Sequence, residues 1–340
     1  MSALRPALRP VAAVLVSLAC AGAALSALGY PALPALSALA RGSLGSSAAW
    51  TATMLKAAPL LLTGLAVTIS FRCGMWNIGA EGQFYAGALL ATAVATRLAP
   101  GLPASLLGPL LALLAAAAGA ALGAAAGALR VTRGISEVIS TILLNFIAIQ
   151  AVALAVHGPL QESAGAYPQS DLLPPAAMLP SLGRIHLGVA IAVIAALAST
   201  WMLFRTPLGF RIRAVGLSPL ASRFAGISSA AHGVAALAIG GALAGLGGAF
   251  EVSGVTGRLY EGLSPGYGYT AIAVALLARL HPLAVIPSAL FFGALEAGAG
   301  AMQREAAVPA VATELVQGMV ILLSVGFALV SERRPDKERR

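Results

Sequence analysis

The amino-acid sequence predicts an all-α fold, a polytopic membrane helix bundle of about ten transmembrane helices. Of its 340 residues, 59% are hydrophobic and only 10% are charged, and the mean hydropathy is +0.89. Apolar stretches close to the ~20 residues that cross ~30 Å of hydrocarbon recur along the whole chain. They leave no room for a separate water-soluble domain, so residues 1–340 are expected to form one transmembrane domain.

The candidate spans, in chain order, are residues 11–29, 55–71, 83–99, 104–129, 135–157, 185–204, 231–252, 268–280, 283–300 and 311–330. With both termini in the cytoplasm, including a basic tail at 331–340, fifteen of the 21 basic residues lie on the cytoplasmic side. This distribution follows the positive-inside rule, so the net charge of +9 requires no nucleic-acid partner. The N-terminal apolar run is long for a cleaved signal, and the first helix is expected to be retained.

Two long connections differ in character. Residues 158–184 contain five prolines and two acidic residues, a composition typical of an external loop. Residues 205–230 form the predicted cytoplasmic loop, which is basic but also partly apolar. Within it, apolar residues at helical spacing follow Ser218-Pro219, a suitable N-cap and first-turn pair. This pattern indicates a short amphipathic helix that lies on the membrane surface or docks into a partner.

Three polar side chains, Asn77, Glu81 and Gln83, lie between two apolar runs in a glycine-rich stretch. A buried carboxylate at bilayer depth is costly, and irregular backbone survives there only where protein or a water-filled cavity satisfies it. The stretch is therefore predicted to form part of a solute pathway, and the Trp76 ring beside it would add a flat apolar surface.

A second group of polar residues forms a stripe along one helical face. Its members are spaced four residues apart and are Glu137, Thr141 and Asn145. Such a stripe is expected to face the bundle interior and to add donors and acceptors to the same pathway. The alternative is that all these groups only hold interrupted helices together by capping freed backbone N–H groups.

The chain also contains a weak internal repeat. Residues 63–90 and 244–277 each end one helix, pass through a glycine-rich stretch and re-enter an apolar run. The two stretches lie five spans apart, which predicts a five-plus-five inverted repeat with interrupted helices. GxxxG spacings at Gly119, Gly123 and Gly127, and at Gly241 and Gly245, predict close helix contacts inside the bundle.

Several catalytic classes lack their motifs. The lysines are Lys56 and Lys337, and neither follows a glycine loop, so no P-loop is present and ATP hydrolysis is expected on another chain. Gly262-Leu-Ser-Pro-Gly266 has a proline where a nucleophile elbow needs a backbone N–H. No zinc motif or clustered histidines occur. The sequence predicts neither an enzyme nor a metal or cofactor site.

Four motifs, in order, resemble those of bacterial ABC-importer permeases: Asn77-Ile-Gly-Ala-Glu-Gly-Gln83, Ile135-Ser-Glu-Val-Ile-Ser-Thr-Ile-Leu-Leu-Asn145, Arg213-Ala-Val-Gly-Leu-Ser-Pro-Leu-Ala221 with Ala225-Gly-Ile227, and Ala271-Ile-Ala-Val-Ala-Leu-Leu277. The nearest branch is the nucleoside and simple-sugar permeases, which are relatives of ribose and branched-chain amino-acid permeases. Trp76 stands where this family often has Phe, and Arg279-Leu-His281-Pro282 varies the family's usual Gly-Arg-Asn-Asn-Pro-like turn.

The resemblance implies a multi-pass permease of the bacterial inner membrane. Its partners would be a second permease chain, a cytoplasmic ATP-binding-cassette ATPase and an extracytoplasmic solute-binding lipoprotein. The ATPase is expected to dock on residues 205–230, and the candidate coupling residues are Arg211, Arg213, Gly216, Pro219, Phe224 and Gly226.

The expected solute is a neutral, hydroxyl-rich small molecule with a heterocycle, such as a nucleoside. This expectation rests on a proposed path that offers amides, a threonine hydroxyl and one or two carboxylates but no intramembrane Lys or Arg to meet an anionic solute. Simple sugars such as ribose are the alternative solute. An ion-coupled secondary transporter, with Glu81 or Glu137 as its coupling acid, is the alternative of another class.

Overall fold

The computed structural model describes residues 5–98 and 101–332, which form a bundle of α-helices. The thirteen α-helices of these residues are α1 Arg5–Ala27, α2 Ala32–Leu44, α3 Ser47–Arg72, α4 Ala80–Ala93, α5 Ala104–Arg133, α6 Glu137–Val156, α7 Leu187–Arg205, α8 Pro207–Leu217, α9 Pro219–Phe224, α10 Ser229–Glu251, α11 Tyr267–Leu277, α12 Pro282–Glu305 and α13 Ala310–Glu332. Two-residue strands, β1 Ser181–Leu182 and β2 Ile185–His186, pair in a small hairpin. The predicted all-α membrane bundle is confirmed.

Six of the helices are long and apolar enough to cross a membrane, as far as the described residues show: α3, α5, α6, α7, α10 with its π-helical extension to Thr256, and α12. Every predicted span overlaps a helix, but α11 has only 11 residues and is about 17 Å long. Such a helix crosses about half of the hydrocarbon. The count of ten crossings therefore stays a prediction, and most of the predicted basic tail, residues 333–340, lies outside the described residues.

Two features near the N-terminus were not predicted. Helix α2 occupies a connection that was assigned no structure, and Gly42 brings it into contact with Ala301 of α12. Helix α3 begins eight residues before its predicted start, because the Ser46 hydroxyl accepts a hydrogen bond from Ala49 N at 3.1 Å and caps the helix there. Lys56, which was assigned to the outer side, therefore lies inside a membrane-length helix.

Helices α5 and α10 cross through the predicted glycine spacings. A Cβ built on Gly119 would overlap the Gly241 carbonyl oxygen, and a Cβ on Gly245 would overlap that of Ala115. Only glycine permits this backbone contact. The expectation that these spacings serve packing inside the bundle is confirmed.

The two ends of the bundle carry different connections. We call the end that holds the basic residues 205–230 the basic end. There the Thr206 hydroxyl caps α8, and the Ser218 hydroxyl accepts from Ala221 N at 3.3 Å and caps α9. The short helix expected after Ser218-Pro219 is thus present. We call the opposite end, which holds the long connection of residues 158–184, the loop end.

Two interrupted segments lie at these opposite ends. Residues 73–79 separate α3 from α4 at the basic end, where Gly74 contacts Gly216 of α8. Residues 257–266 separate α10, with its π turn, from α11 at the loop end, where Ser170 N donates to Leu259 O at 2.8 Å. Opposite placement is the arrangement that an inverted repeat requires, and the repeat itself stays a prediction.

Candidate functional site

The first interrupted segment is held by paired amides. Asn77 Nδ2 donates to Gln83 Oε1 at 3.1 Å, and Gln83 Nε2 donates back to Asn77 Oδ1 at 3.2 Å. Asn77 Oδ1 also accepts from Gly79 N at 3.0 Å. Both side chains are buried, so the amide pair fixes the turn that starts α4 and satisfies a backbone donor there.

Asn145 binds the same helix start from α6. Its Oδ1 accepts from Gly82 N at 2.7 Å, and its Nδ2 donates to Ile78 O at 2.8 Å. One turn earlier on α6, Thr141 Oγ1 donates to Glu137 O at 2.6 Å. The Asn145 amide therefore supplies the cap that the first turn of α4 lacks within its own segment.

Glu137 is the charged member of the polar stripe. Its carboxylate forms an ion pair with Arg130 of α5 and accepts from Trp76 N at 3.3 Å. The Trp76 ring is 55% exposed and lies 4.8 Å, between centroids, from Phe71. Of the seven predicted pathway residues, Trp76 alone is exposed, and the other six are buried.

Glu81 lies where two helices begin. It is in the first turn of α4, and its Oε2 accepts at 2.6 Å from the backbone N–H of Gly268, the second residue of α11. A Cβ on Gly268 would overlap the Glu81 backbone nitrogen, so the two helix starts are in direct contact. Helix N-termini carry partial positive charge, and the buried carboxylate is placed between two of them.

These contacts bring six predicted residues into one buried polar group around the start of α4. They satisfy backbone donors and acceptors and thereby support the scaffold alternative for Asn77, Gln83, Thr141 and Asn145. Glu81 has the position that solute groups occupy where half-helices meet. The pathway assignment of these residues stays a prediction.

A second polar group was not predicted. Lys56 Nζ donates to the Tyr267 hydroxyl at 3.1 Å and lies 5.7 Å from the centre of its ring. We call Lys56 and Tyr267 the Lys56 cluster. The expectation of no intramembrane Lys or Arg is wrong for Lys56, which lies in the third turn of α3. Ser46, as a helix N-cap residue, was the sequence signal that could have shown it.

A cavity of about 60 Å³ adjoins the Lys56 cluster. Its lining includes Tyr267, Thr270, Glu296 and Gln317, and Gln317 Nε2 donates to Glu296 Oε2 at 3.3 Å. The polar lining and the small volume fit a few water molecules.

The predicted coupling residues lie on or beside α8 and α9. Phe224 is 87% exposed, and Arg211 and Pro219 are exposed too. Gly226 follows the end of α9 and has a φ of 75°, a left-handed conformation that glycine adopts readily. Gly216 is different: a Cβ there would overlap the Arg72 carbonyl oxygen, so it packs α8 onto the end of α3.

Arg213 also faces the bundle. Its Nε donates to Leu203 O at 2.9 Å, and its guanidinium lies 5.1 Å from the centre of the Phe204 ring. The Arg72 guanidinium lies 5.8 Å from the same ring, which stacks on His281. Arg213 and Gly216 therefore attach the basic end to α3 and α7, while Phe224 is free to meet a partner. A cavity of about 300 Å³, lined in part by Cys73, opens beside them.

A helical bundle in which two interrupted helices meet at their N-termini around a buried carboxylate is the architecture of a membrane transporter. Residues 50–325 match the family described as branched-chain amino acid transport system / permease component, and the chain belongs to this family. The resemblance identified from the four motifs is thereby confirmed.

Three relatives extend over almost the whole chain. The glucose ABC transporter permease protein TsgB13 of Haloferax volcanii is 37% identical, over 95% of this chain and 87% of its own length. The guanosine ABC transporter permease protein NupP of Bacillus subtilis is 34% identical, over 92% and 91%. The nucleoside ABC transporter permease protein NupB of Lactococcus lactis is 30% identical, over 96% and 92%. The chain is thus a multi-pass permease component of an ABC transporter.

Proposed function

We propose that this chain moves nucleosides or related sugar-containing solutes inward across a bacterial inner membrane, with both termini in the cytoplasm. The observation that carries the proposal is the similarity over nearly full length to permeases named for guanosine, nucleosides and glucose. A simple sugar such as ribose is the second candidate solute, and the glucose permease favours it.

The energy would come from a separate ATPase bound at the basic end. Leu217, Leu220 and Phe224 are large, apolar and exposed on α8 and α9, and Arg211 and Arg223 are exposed beside them. An apolar surface of this kind with a basic border suits a protein partner. Hydrolysis on this chain is not expected because it has no P-loop.

A second permease chain and a solute-binding lipoprotein would complete the importer. Two guanosine permeases of Bacillus subtilis, NupP and NupQ, are 34% and 32% identical to this chain. Two related permeases in one organism support a heterodimer.

The test is solute uptake by proteoliposomes that contain the chain together with its proposed ATPase, second permease and lipoprotein partners. Uptake of labelled guanosine should require ATP and should cease when the ATPase is omitted. A proton gradient without ATP should drive no uptake, and uptake under that condition would establish the secondary transporter instead. If unlabelled ribose competes and adenosine and guanosine do not, the solute is a sugar.

A further inference from the structure

His186 lies at the end of the small hairpin, directly before α7, and is 4% exposed. We propose that its uncharged ring positions the π turn of α10, residues Val252–Thr256, and that protonation of the ring from the loop end releases this turn and slows uptake. The release is argued from the surroundings of His186, and only the uptake readout rests on the proposed function.

The polar atoms of the His186 ring have no partners. Neither Nδ1 nor Nε2 forms a hydrogen bond with any of residues 5–98 and 101–332, although an uncharged imidazole can donate through one nitrogen and accept through the other. Nearly all buried polar side chains in native proteins are hydrogen-bonded. A phenylalanine would fill such a position without this cost, so a titratable ring here indicates a function beyond filling space.

Two glycines make room for this ring. A Cβ on Gly254, in the middle of the π turn, would lie 2.7 Å from His186 Cγ, and a Cβ on Gly188, in the first turn of α7, would lie 2.6 Å from His186 Nδ1. We call the space between Gly188 and Gly254 the His186 slot. Because glycine permits this close approach, the ring lies directly against the backbone of the π turn.

Backbone hydrogen bonds join the long loop to the π turn beside the His186 slot. Leu179 N donates to Ser253 O at 2.9 Å, and Leu173 N donates to Gly257 O at 2.9 Å. The two acceptors lie on either side of the slot glycine in the chain. The ring, the loop and the π turn therefore pack as one unit.

The π turn leads to the meeting point of the two helix starts. It is followed by the interrupted segment of residues 257–266, which ends at α11, where Gly268 N–H donates to Glu81. A displacement of the π turn would be transmitted along this short segment to that contact. His186 is thus a positioning residue, since it acts through the turn.

A positive charge on His186 has no acceptor in this setting. The π turn, β1 and the first turn of α7 hold no titratable residue, and α3, which packs against β2, holds no acid. Glu251 precedes the π turn but forms neither a hydrogen bond nor an ion pair with His186. The charged residues of α3, α7 and the hairpin turn are all cations, namely Lys56, Arg72, Arg184 and Arg205. An imidazolium in the slot would therefore be buried without compensation, which is costly.

The direction of the pH effect follows from this cost. Burial lowers the pKa of His186, which precedes the membrane-spanning α7, below its ordinary 6.5, whereas a released ring is solvated and regains that value. The packed form is therefore fully favoured above about pH 6.5. As the pH falls further, the equilibrium constant for release rises about tenfold per unit until the pH reaches the lowered pKa.

Backbone hydrogen exchange tests the release without any need for transport. In the assembled transporter in detergent, the opening constant of residues 252–258 should rise about tenfold per unit as the pH falls below about 6.5, after correction for intrinsic rates. His186→Phe keeps an aromatic ring that cannot be protonated and should abolish this rise. His157→Phe, at an exposed histidine of the loop end, is the matched control and should retain it.

Uptake by proteoliposomes should follow the release. The ratio of ATP-driven guanosine uptake at an outer pH of about 5.5 to that at about 7.5, with the inner pH constant, should be severalfold lower for the unmodified protein than for His186→Phe. Glu162 does not account for such a difference, because its lowered pKa keeps it charged in this range.

Each outcome is decisive. Exchange that does not depend on pH in the unmodified protein, or that depends on it equally in His186→Phe, would overturn the proposal. If His186→Phe does not fold, exchange of the histidine C2 hydrogen in the unmodified protein decides, and titration of His186 at or above about pH 6.5 would overturn the proposal. Acid-dependent opening with equal uptake ratios would overturn the effect on uptake. Acid-dependent opening without any ATP-driven uptake would keep the release and contradict the importer.

Discussion

The Glu81 carboxylate of α4 accepts a hydrogen bond of 2.6 Å from the backbone N–H of Gly268 in α11, 187 residues later in the chain. This bond joins the starts of two helices that come from opposite ends of the bundle. The contact is close because Gly268 has no side chain, and any Cβ there would overlap the backbone of Ala80 and Glu81.

Gly268→Ala should therefore push the two helix starts apart. Overpacking of this kind typically costs about 1–3 kcal/mol, so we expect a lower Tm of the purified protein in detergent together with reduced uptake. Gly108→Ala is the control, since a Cβ on Gly108 meets nothing within 4 Å. An unchanged Tm for Gly268→Ala would contradict the close contact.

Asn145→Leu distinguishes the scaffold from the pathway. The substitution leaves Gly82 N–H and Ile78 C=O buried without their partner, and each unsatisfied group costs about 1–3 kcal/mol. We expect a lower Tm and less folded protein on size-exclusion chromatography. Gln150→Leu, at an exposed position of the same helix, should preserve both. A variant with normal stability and reduced uptake would return Asn145 to the solute pathway.

Phe224 and Gly216 should respond differently to substitution. Phe224→Ser removes an exposed ring, so the Tm should be preserved while co-purification of the ATPase falls. Gly216→Val introduces atoms that overlap the Arg72 carbonyl oxygen, so both the Tm and the co-purification of the ATPase should fall. Leu182→Ser, at an exposed residue of the loop end, is the control for both measurements. Full ATPase recovery with Phe224→Ser would place the docking surface elsewhere.

Phe204 joins three parts of the basic end, because its ring contacts the Arg72 and Arg213 guanidinium groups and stacks on His281. Each cation–π contact contributes about 0.5–1 kcal/mol at an exposed site. Phe204→Leu should loosen α8 without removing the docking surface, so the ATPase should still bind while solute uptake per ATP hydrolysed falls severalfold. Phe146→Leu, at an exposed ring of α6, should leave this ratio unchanged.

Glu162 holds the long loop at the loop end and should make it sensitive to pH. Its carboxylate accepts from Gln169 Nε2 at 2.6 Å, Tyr167 N at 3.0 Å and Arg258 Nη1 at 2.9 Å. The Gln169 hydrogen bond, followed by those of Tyr167 and Arg258, lowers the pKa of Glu162 below its usual range. A lowered pKa in the folded state means that this stabilisation is complete above the unfolded pKa and is lost as the pH falls through the folded pKa.

Backbone hydrogen exchange measures this loss. Protection of residues 160–173 should decrease as the pH falls from about 7 to about 3, after correction for intrinsic rates. Glu162→Gln should show reduced protection already at neutral pH and a smaller change on acidification. Protection that does not depend on pH in the unmodified protein would contradict the role of Glu162.

Much of the fold follows from the sequence because hydropathy and helix capping are local properties. The apolar runs located all ten helices of the predicted spans, and Ser218-Pro219 located the start of α9, since a cap needs only residues within one turn. The four family motifs identified the permease class for the same reason, as they are continuous in the chain.

The partners of the polar residues could not be predicted in this way. Glu81 meets Gly268, and Lys56 meets Tyr267, across more than half of the chain. Lys56 was assigned to the outside because its helix was expected to begin one residue before it. An amide that caps a helix and an amide that meets a solute have the same sequence pattern, and only the distances to their neighbours separate them. The sequence thus determined the membrane bundle, its segments and its family. The tertiary structure decided which buried polar groups satisfy one another, as the Asn77 and Gln83 amides do, because such contacts depend on how distant segments pack.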